Sequence, residues 1–346
     1  MLVTALVTPF KGPGNGPDLD RLQALARFQL SEGAGQLLLA GTTGEGAALS
    51  DEERLLMIDA ALEVASPEQL MVGLGSGPLD QVIQRGRDSL QRGVRDLLLV
   101  DCPYSGASSA ALRTAWHGPA AEALPEGRLF PYAVPGRTGT ELLPDDLALL
   151  AEEHPNVVGV KDATGRLARM TRVRELCGDS FRLLCGDDPQ ARSSLLDPSI
   201  RADGLCSVVA NLVPGKVRQL VDAGLAGEAV AARMLHDRLE PLFGLVCVTS
   251  QEPLRLRDET LRVPQRARNP VPLKAALASY GLPVARVRPP LDEMGDGGRQ
   301  EVARILARFE ERSSDALEPL RSLVVAERER TQGASASERE LVGRAP

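Results

Sequence analysis

The chain has 346 residues, of which 43% are hydrophobic and 25% charged, and its 40 basic and 47 acidic side chains give a formal net charge of −7. A mildly acidic chain without a basic tract cannot build a phosphate-neutralising surface, so we expect no nucleic-acid partner. It has no apolar run of about 18 residues and no secretory signal at its start, so we expect a cytoplasmic, soluble protein with no membrane partner.

Eight short apolar runs recur along the chain, each followed by turn or loop residues. They comprise residues 3–7, 36–40, 70–74, 96–100, 129–134, 157–161, 182–185 and 204–208. Helix-competent segments separate them, and one begins with a capping box formed by Ser50 and Glu53. Buried strands that alternate with helices indicate a parallel sheet covered by helices. Eight such units predict an α/β protein with a (β/α)8 TIM barrel, rather than an open doubly wound sheet of fewer units.

The remaining chain has a different pattern. We assign the barrel to residues 1–224 and a C-terminal helical domain to residues 225–312, because the strand pattern ends there. Helices are predicted near 226–245, 271–280 and 297–312. A polar, Arg-rich stretch at 251–269 is interpreted as an inserted loop within this domain. Residues 313–346 are predicted to form a polar, partly disordered tail, with at most one helix.

Lysine is scarce, and this scarcity narrows the search for an amine nucleophile. Only four of the 40 basic residues are lysines, namely Lys11, Lys161, Lys216 and Lys274. Lys161 ends the sixth predicted strand, at the edge where a (β/α)8 barrel places its active site. The other three lie in a Gly/Pro-rich loop, at a helix start and on a helix of the second domain, where we expect a solvated ammonium group.

The surroundings predicted for Lys161 suit imine chemistry. The two-residue alternation of a strand puts Lys161 on the same face as Gly159, which would leave room for the long side chain inside the barrel. Burial would lower the pKa of the amine toward the neutral form that attacks a carbonyl. The alternative is a lysine paired with a carboxylate such as Asp162 or Asp187.

Other candidates follow neighbouring strands. The Gly-Thr-Thr-Gly turn at 41–44 offers N–H groups and two hydroxyls for a small carboxylate or phosphate, although it could be an ordinary turn. Tyr132 could relay protons or be a core aromatic. Arg137 could bind a carboxylate or be a surface arginine. The glycines at 73–77 lack dinucleotide-loop spacing, so we expect no NAD.

The histidines and cysteines point to no further site. The three histidines are scattered away from the strand ends, which suggests neither a Ser-His-Asp triad nor a metal site. The five cysteines are odd in number and widely spaced, and we expect them to be reduced core residues.

Together these residues resemble the family of pyruvate-dependent class I aldolases and lyases that includes dihydrodipicolinate synthase and N-acetylneuraminate lyase. The likeness runs from Leu2 to about residue 312 and depends on seven motifs in order. They are Thr-Ala-Leu-Val-Thr-Pro-Phe at 4–10, Gly-Thr-Thr-Gly-Glu at 41–45, Pro-Tyr at 103–104, Tyr132 with Val-Pro-Gly-Arg-Thr-Gly at 134–139, Val-Lys-Asp-Ala-Thr-Gly at 160–165, Gly-Asp-Asp at 186–188 and Asn-Pro-Val-Pro-Leu-Lys-Ala-Ala at 269–276.

The resemblance implies roles for individual residues. Lys161 would form the imine with pyruvate, and Tyr132 would relay protons with Thr42. The turn formed by Thr42 and Thr43 would hold the pyruvate carboxylate. The other implied substrate-binding residues are Gly186 and Cys206, through their carbonyl groups, and Tyr104.

Arg137 and the Gly-Asp-Asp motif are similar to the branch of the family that condenses pyruvate with aspartate semialdehyde in lysine and diaminopimelate biosynthesis. In that branch Arg137 would bind the carboxylate of the semialdehyde. The resemblance also implies a homo-oligomer, a tetramer built from dimers.

Some positions depart from that branch. Ser105 stands where the family has a second relay tyrosine, supplied across a subunit interface, and Ala133 replaces an asparagine. Another pyruvate-type aldolase or dehydratase acting on a 2-oxo acid, or a catalytically weakened binding homologue, therefore stays open. Gly77 and Gln81 replace the Asn and Glu of lysine-sensitive members, so we predict little response to lysine.

Overall fold

The computed structural model describes residues 1–12 and 16–342, and in it eight parallel strands close into a barrel in chain order. Each strand pairs with its neighbour in sequence, and the first closes the barrel against the eighth, with Leu2 opposite Leu205. The strands are β1 Leu2–Ala5, β2 Gln36–Leu39, β3 Leu70–Gly73, β4 Asp96–Val100, β5 Arg128–Ala133, β6 Gly159–Asp162, β7 Arg182–Cys185 and β8 Gly204–Ser207.

Helices surround the barrel and connect its strands. They are α1 Leu19–Ser31, α2 Asp51–Leu62, α3 Leu79–Gln91, α4 Ser109–Leu112, α5 Gly118–Ala123, α6 Pro135–Thr138, α7 Pro144–Glu153, α8 Leu167–Cys177, α9 Ala191–Leu196 and α10 Pro214–Leu225. The predicted capping box begins α2: the Ser50 hydroxyl accepts from the Glu53 N–H at 3.2 Å, and the Glu53 carboxylate accepts from the Ser50 N–H at 3.0 Å. The predicted (β/α)8 TIM barrel with a C-terminal helical segment is confirmed.

Two apolar cores hold the barrel together. The larger lies between the strands and the helices, and the smaller fills the barrel interior with side chains that include Met71, Leu98 and Phe130. Gly159 does leave space inside the barrel, but Phe130 fills it: a Cβ on Gly159 would lie 2.7 Å from the Phe130 ring. Lys161 lies one residue pair further along β6, above this filled layer.

The C-terminal segment contains α11 Ala229–Phe243, α12 Val271–Ser279 and α13 Asp296–Ser313. The prediction of an inserted loop at 251–269 is wrong, because most of this stretch is a β-hairpin. Strands β9 Cys247–Leu256 and β10 Glu259–Arg268 pair along their full lengths in antiparallel register. Most hairpin side chains are exposed, so the segment shows no apolar run from which strands could be predicted.

The tail predicted at 313–346 contains the one helix that the sequence allowed for. Helix α14 spans Glu318–Val342, and the residues 343–346 lie outside the described part of the chain. Leu317, Leu320 and Val324 are buried, at the spacing that puts side chains on one helix face. Arg330 of α14 pairs with Asp20 of α1 at 3.5 Å, so this helix packs on the barrel. Among the described residues, no helix has the length and apolar character to cross a membrane.

Candidate active site

Lys161 and Tyr132 are neighbours inside the barrel. They stand opposite each other in the register of β5 and β6, and the Lys161 Nζ lies 4.4 Å from the centre of the Tyr132 ring. Both side chains are buried, with 5% and 6% of their surface exposed. No carboxylate lies within 4.0 Å of this amine in the described part of the chain, and Asp162 instead pairs with Arg169. The arrangement therefore differs from the ion-paired alternative.

The predicted fall in the pKa of Lys161 is wrong. Burial does lower that pKa, but the Cys206 thiol, Tyr132 and Asp188 favour the ammonium form, and the pKa of Lys161 is raised above its ordinary value. Burial raises the pKa of Asp188 to about 6, so its carboxyl is mostly ionised at neutral pH. Because Lys161 must lose a proton before it can attack a carbonyl, a proton acceptor is part of any imine chemistry here.

A cavity of about 340 Å³ opens at the C-terminal ends of the strands, above Lys161. Thr42, Tyr132 and Arg137 line it, together with apolar side chains such as Val100 and Leu291. Lys161 is not one of the lining residues, but its neighbour Tyr132 is. A larger groove of about 860 Å³ lies on the outer surface between α7 and α8 and contains none of the predicted site residues.

Asn269 connects two of the predicted site residues. Its side-chain amide donates to the Thr43 hydroxyl at 2.9 Å, and its backbone carbonyl accepts from the Arg137 guanidinium at 2.7 Å. Asn269 precedes α12 and is buried, while Thr43 lies in the turn after β2. Sequence reasoning missed this role, because the contact joins residues 226 positions apart and Asn269 appeared only as part of a motif.

The prediction of a solvated Lys274 is also wrong. The Lys274 side chain is fully buried, and its Nζ donates to Glu45 at 2.6 Å and to the Thr8 carbonyl at 2.8 Å. Burial lowers its pKa, and the Glu45 carboxylate opposes that fall. Glu45 has a left-handed backbone, with φ of 53°, directly after the Gly-Thr-Thr-Gly turn. The buried pair therefore fastens this turn to α12.

The other two lysines lie at the surface. Lys11 is exposed, and Lys216 at the start of α10 pairs with Asp315 at 3.2 Å. Lys161 is thus the described lysine that lies inside the barrel without a carboxylate partner.

Gly186 and Cys206 both lie beside Lys161. A Cβ on Gly186 would lie 3.0 Å from the Lys161 Cε, and the Cys206 side chain packs in the barrel interior with Tyr132. The substrate-binding role implied for Tyr104 does not fit the single chain, because the Tyr104 side chain is 100% exposed and does not line the cavity. The turn after β4, with Tyr104 at a φ of 66°, points this side chain to solvent, and Pro103 lines the cavity instead.

A buried lysine beside a phenol, under a cavity at the C-terminal mouth of a parallel barrel, is the arrangement of a class I lyase. Comparisons with known proteins agree. The model of the dihydrodipicolinate synthetase family matches residues 1–309. A 4-hydroxy-tetrahydrodipicolinate synthase of Idiomarina loihiensis is 33% identical over 305 residues, which cover 88% of this chain and 95% of the relative.

Solved structures show the same likeness. A dihydrodipicolinate synthase from Aquifex aeolicus superposes with a TM-score of 0.78 at 27% identity, covering 90% of this chain and 98% of that one. The chloride-inhibited synthase from Acinetobacter baumannii, complexed with pyruvate, gives a TM-score of 0.78 at 28% identity and covers 89% and 97% of the two chains. The chain belongs to the dihydrodipicolinate synthetase family.

Proposed function

We propose that this chain is a 4-hydroxy-tetrahydrodipicolinate synthase, which condenses pyruvate with aspartate semialdehyde through an imine on Lys161. The observation that carries the proposal is the Lys161 amine, buried against Tyr132 without a carboxylate partner among the described residues, beneath a cavity bordered by Thr42 and Arg137. Relatives named as this synthase, at about one-third identity over most of both chains, support the choice of substrates.

The proposed reaction begins when the neutral Lys161 amine adds to the C2 carbonyl of pyruvate. Loss of water from the adduct forms the imine, and loss of a C3 proton forms the enamine. Tyr132, in contact with the amine, takes up and returns these protons with Thr42, which lines the same cavity. The Thr43 hydroxyl, which accepts a hydrogen bond from Asn269, keeps its own proton to donate to the pyruvate carboxylate.

The enamine carbon then adds to the aldehyde carbon of the semialdehyde, and the aldehyde oxygen becomes a hydroxyl. Arg137 binds the carboxylate of this second substrate. The amino group of the semialdehyde attacks the imine carbon, closes the ring and releases Lys161 as a free amine. The reaction needs no external oxidant or reductant, and the net loss is one water.

Ser105 keeps a second candidate open within the same family. In the single chain both Tyr104 and Ser105 are exposed, so neither extends the relay from Tyr132. A pyruvate-type aldolase or dehydratase acting on a 2-oxo acid would not need that extension. Turnover separates the two: the synthase forms the cyclic product from pyruvate and aspartate semialdehyde, detected by mass spectrometry, whereas the alternative consumes a 2-oxo acid and leaves the semialdehyde unchanged.

The proposed enzyme should respond little to lysine. Next to Gly77, the guanidinium groups of Arg54 and Arg85 lie 2.9 Å and 3.3 Å from the position of a Cβ on Gly75. Asp51 pairs with both groups, at 4.0 Å and 2.5 Å, so two guanidinium charges stand against one carboxylate, and the remaining positive charge opposes the binding of another cation. Strong inhibition by lysine below a millimolar would contradict this part of the proposal.

We also propose that the enzyme is a homo-oligomer, a dimer or tetramer, in the cytoplasm. The complete exposure of Tyr104 at the barrel mouth supports a partner subunit that covers it. The five free cysteines support a reducing compartment. Sedimentation analysis of the full chain measures the oligomeric state, and a monomer at micromolar concentration would contradict the first statement.

A further inference from the structure

The last residue of the inserted hairpin, Arg268, contacts the segment that carries Arg137; its side chain is exposed and lies beside the cavity lining rather than in it. Arg268 ends β10 and donates from its guanidinium to the Gly136 carbonyl at 2.8 Å. Arg137, the next residue after Gly136, donates in return to the carbonyl of Asn269, the next residue after Arg268, at 2.7 Å. These reciprocal bonds hold the two arginines side by side across 132 residues of sequence.

Neither of these guanidinium groups is neutralised. The ion pairs in the described part of the chain include no carboxylate within 4.0 Å of Arg137 or Arg268, and the bonds that hold them use backbone carbonyls. Arg137 lines the cavity. Burial lowers the pKa of Arg137, Tyr132 opposes that fall, and the positive charge of Arg268 lowers the pKa further.

We propose that Arg137 and Arg268 together form the subsite for the carboxylate of the aldehyde substrate, so that the inserted hairpin supplies a specificity-determining residue. Two fixed guanidinium groups can each donate to one carboxylate oxygen, and a bound anion relieves their mutual repulsion. Backbone carbonyls hold both groups in place without consuming their charge. This inference rests on the proposed function and names a second residue for its aldehyde site.

Kinetics of the full-length enzyme with Arg268→Gln test the subsite. Loss of one charged hydrogen bond should raise the KM for aspartate semialdehyde about ten-fold or more, since such bonds contribute roughly 1.5–3 kcal/mol. The KM for pyruvate and imine formation on Lys161 should not change. Arg268→Lys keeps the charge but loses the planar fork, and its KM should lie between those of the wild type and Arg268→Gln.

Arg262→Gln is the matched control, because Arg262 lies on the same strand and is exposed. The substitution removes the same charge, but away from the mouth of the site. Its KM for the semialdehyde should equal that of the wild type. An unchanged semialdehyde KM in Arg268→Gln, or an equal rise in Arg262→Gln, would overturn the subsite. Failure of the wild type to form an imine with pyruvate would instead overturn the proposed function.

Discussion

Glu45 and Lys274 form a fully buried ion pair, 2.6 Å between Oε1 and Nζ, that joins the turn after β2 to helix α12. The sequence places them 229 residues apart. The pair connects Glu45, which follows the Gly-Thr-Thr-Gly turn, with the C-terminal helices. Its charges lie in a low-dielectric environment, where removal of one partner leaves the other uncompensated.

Lys274→Met should therefore destabilise the protein by about 3–5 kcal/mol, the usual loss when one partner of a buried ion pair is removed. Urea-induced unfolding measures this change. Lys216→Met is the control, because Lys216 pairs with the mostly exposed Asp315 and such surface pairs contribute about 1 kcal/mol or less. Equal losses in the two variants would contradict the importance of the buried pair.

The Cys206 thiol should control the pH at which imine formation begins. Cys206 contributes to the raised pKa of Lys161, and the neutral amine needed for attack is a minor form below that pKa and grows as the pH rises toward it. Cys206→Ala should lower the pKa of Lys161, so the rate of imine formation should rise at a lower pH than in the wild type. Stopped-flow measurement of imine formation across pH gives the midpoint.

Cys185→Ala is the matched control for that measurement. Cys185 is equally buried on the neighbouring strand β7, but it packs in the outer core rather than with Tyr132. Its midpoint should equal that of the wild type. A midpoint for Cys206→Ala that stays in place or moves to higher pH would show that the thiol does not favour the ammonium form.

Asn269 should determine how well pyruvate binds. In Asn269→Asp a carboxylate replaces the donor to Thr43, so the Thr43 hydroxyl would donate its proton to that carboxylate instead of to the pyruvate carboxylate. The KM for pyruvate should rise about ten-fold, the usual loss for one hydrogen bond to a charged group. Steady-state kinetics measures it.

Asn156→Asp is a suitable comparison, since the Asn156 amide donates to the Ala121 and Leu124 carbonyls away from the site. This change should lower stability without altering the KM for pyruvate. A pyruvate KM that responds equally to both substitutions, or to neither, would rule out the proposed role of Asn269.

The barrel and the centre of the site could be predicted because both depend on short-range patterns. Buried strands such as β4 and β7 are continuous apolar runs, and their predicted bounds agree with the structure. Strand alternation and strand order were also enough to bring Lys161 beside Tyr132.

Features that depend on distant partners were missed. Lys274 resembled a solvated helix residue because its partner Glu45 is far away in sequence, although its apolar neighbours in α12 hinted at burial. The hairpin strands are held by backbone pairing, which leaves no hydrophobic period. The pKa of Lys161 could not be predicted from burial alone, since the opposing groups come from other strands.

If Lys161 carries the imine, borohydride reduction in the presence of pyruvate should trap pyruvate on this residue. The full chain is reduced in the presence of pyruvate, digested, and the modified peptide is located by mass spectrometry. We expect the reduced pyruvate adduct on Lys161 in the wild type, none in Lys161→Ala, and an undiminished amount in Lys11→Arg and Lys216→Arg. An adduct on another lysine, or no adduct at all, would contradict this role of Lys161.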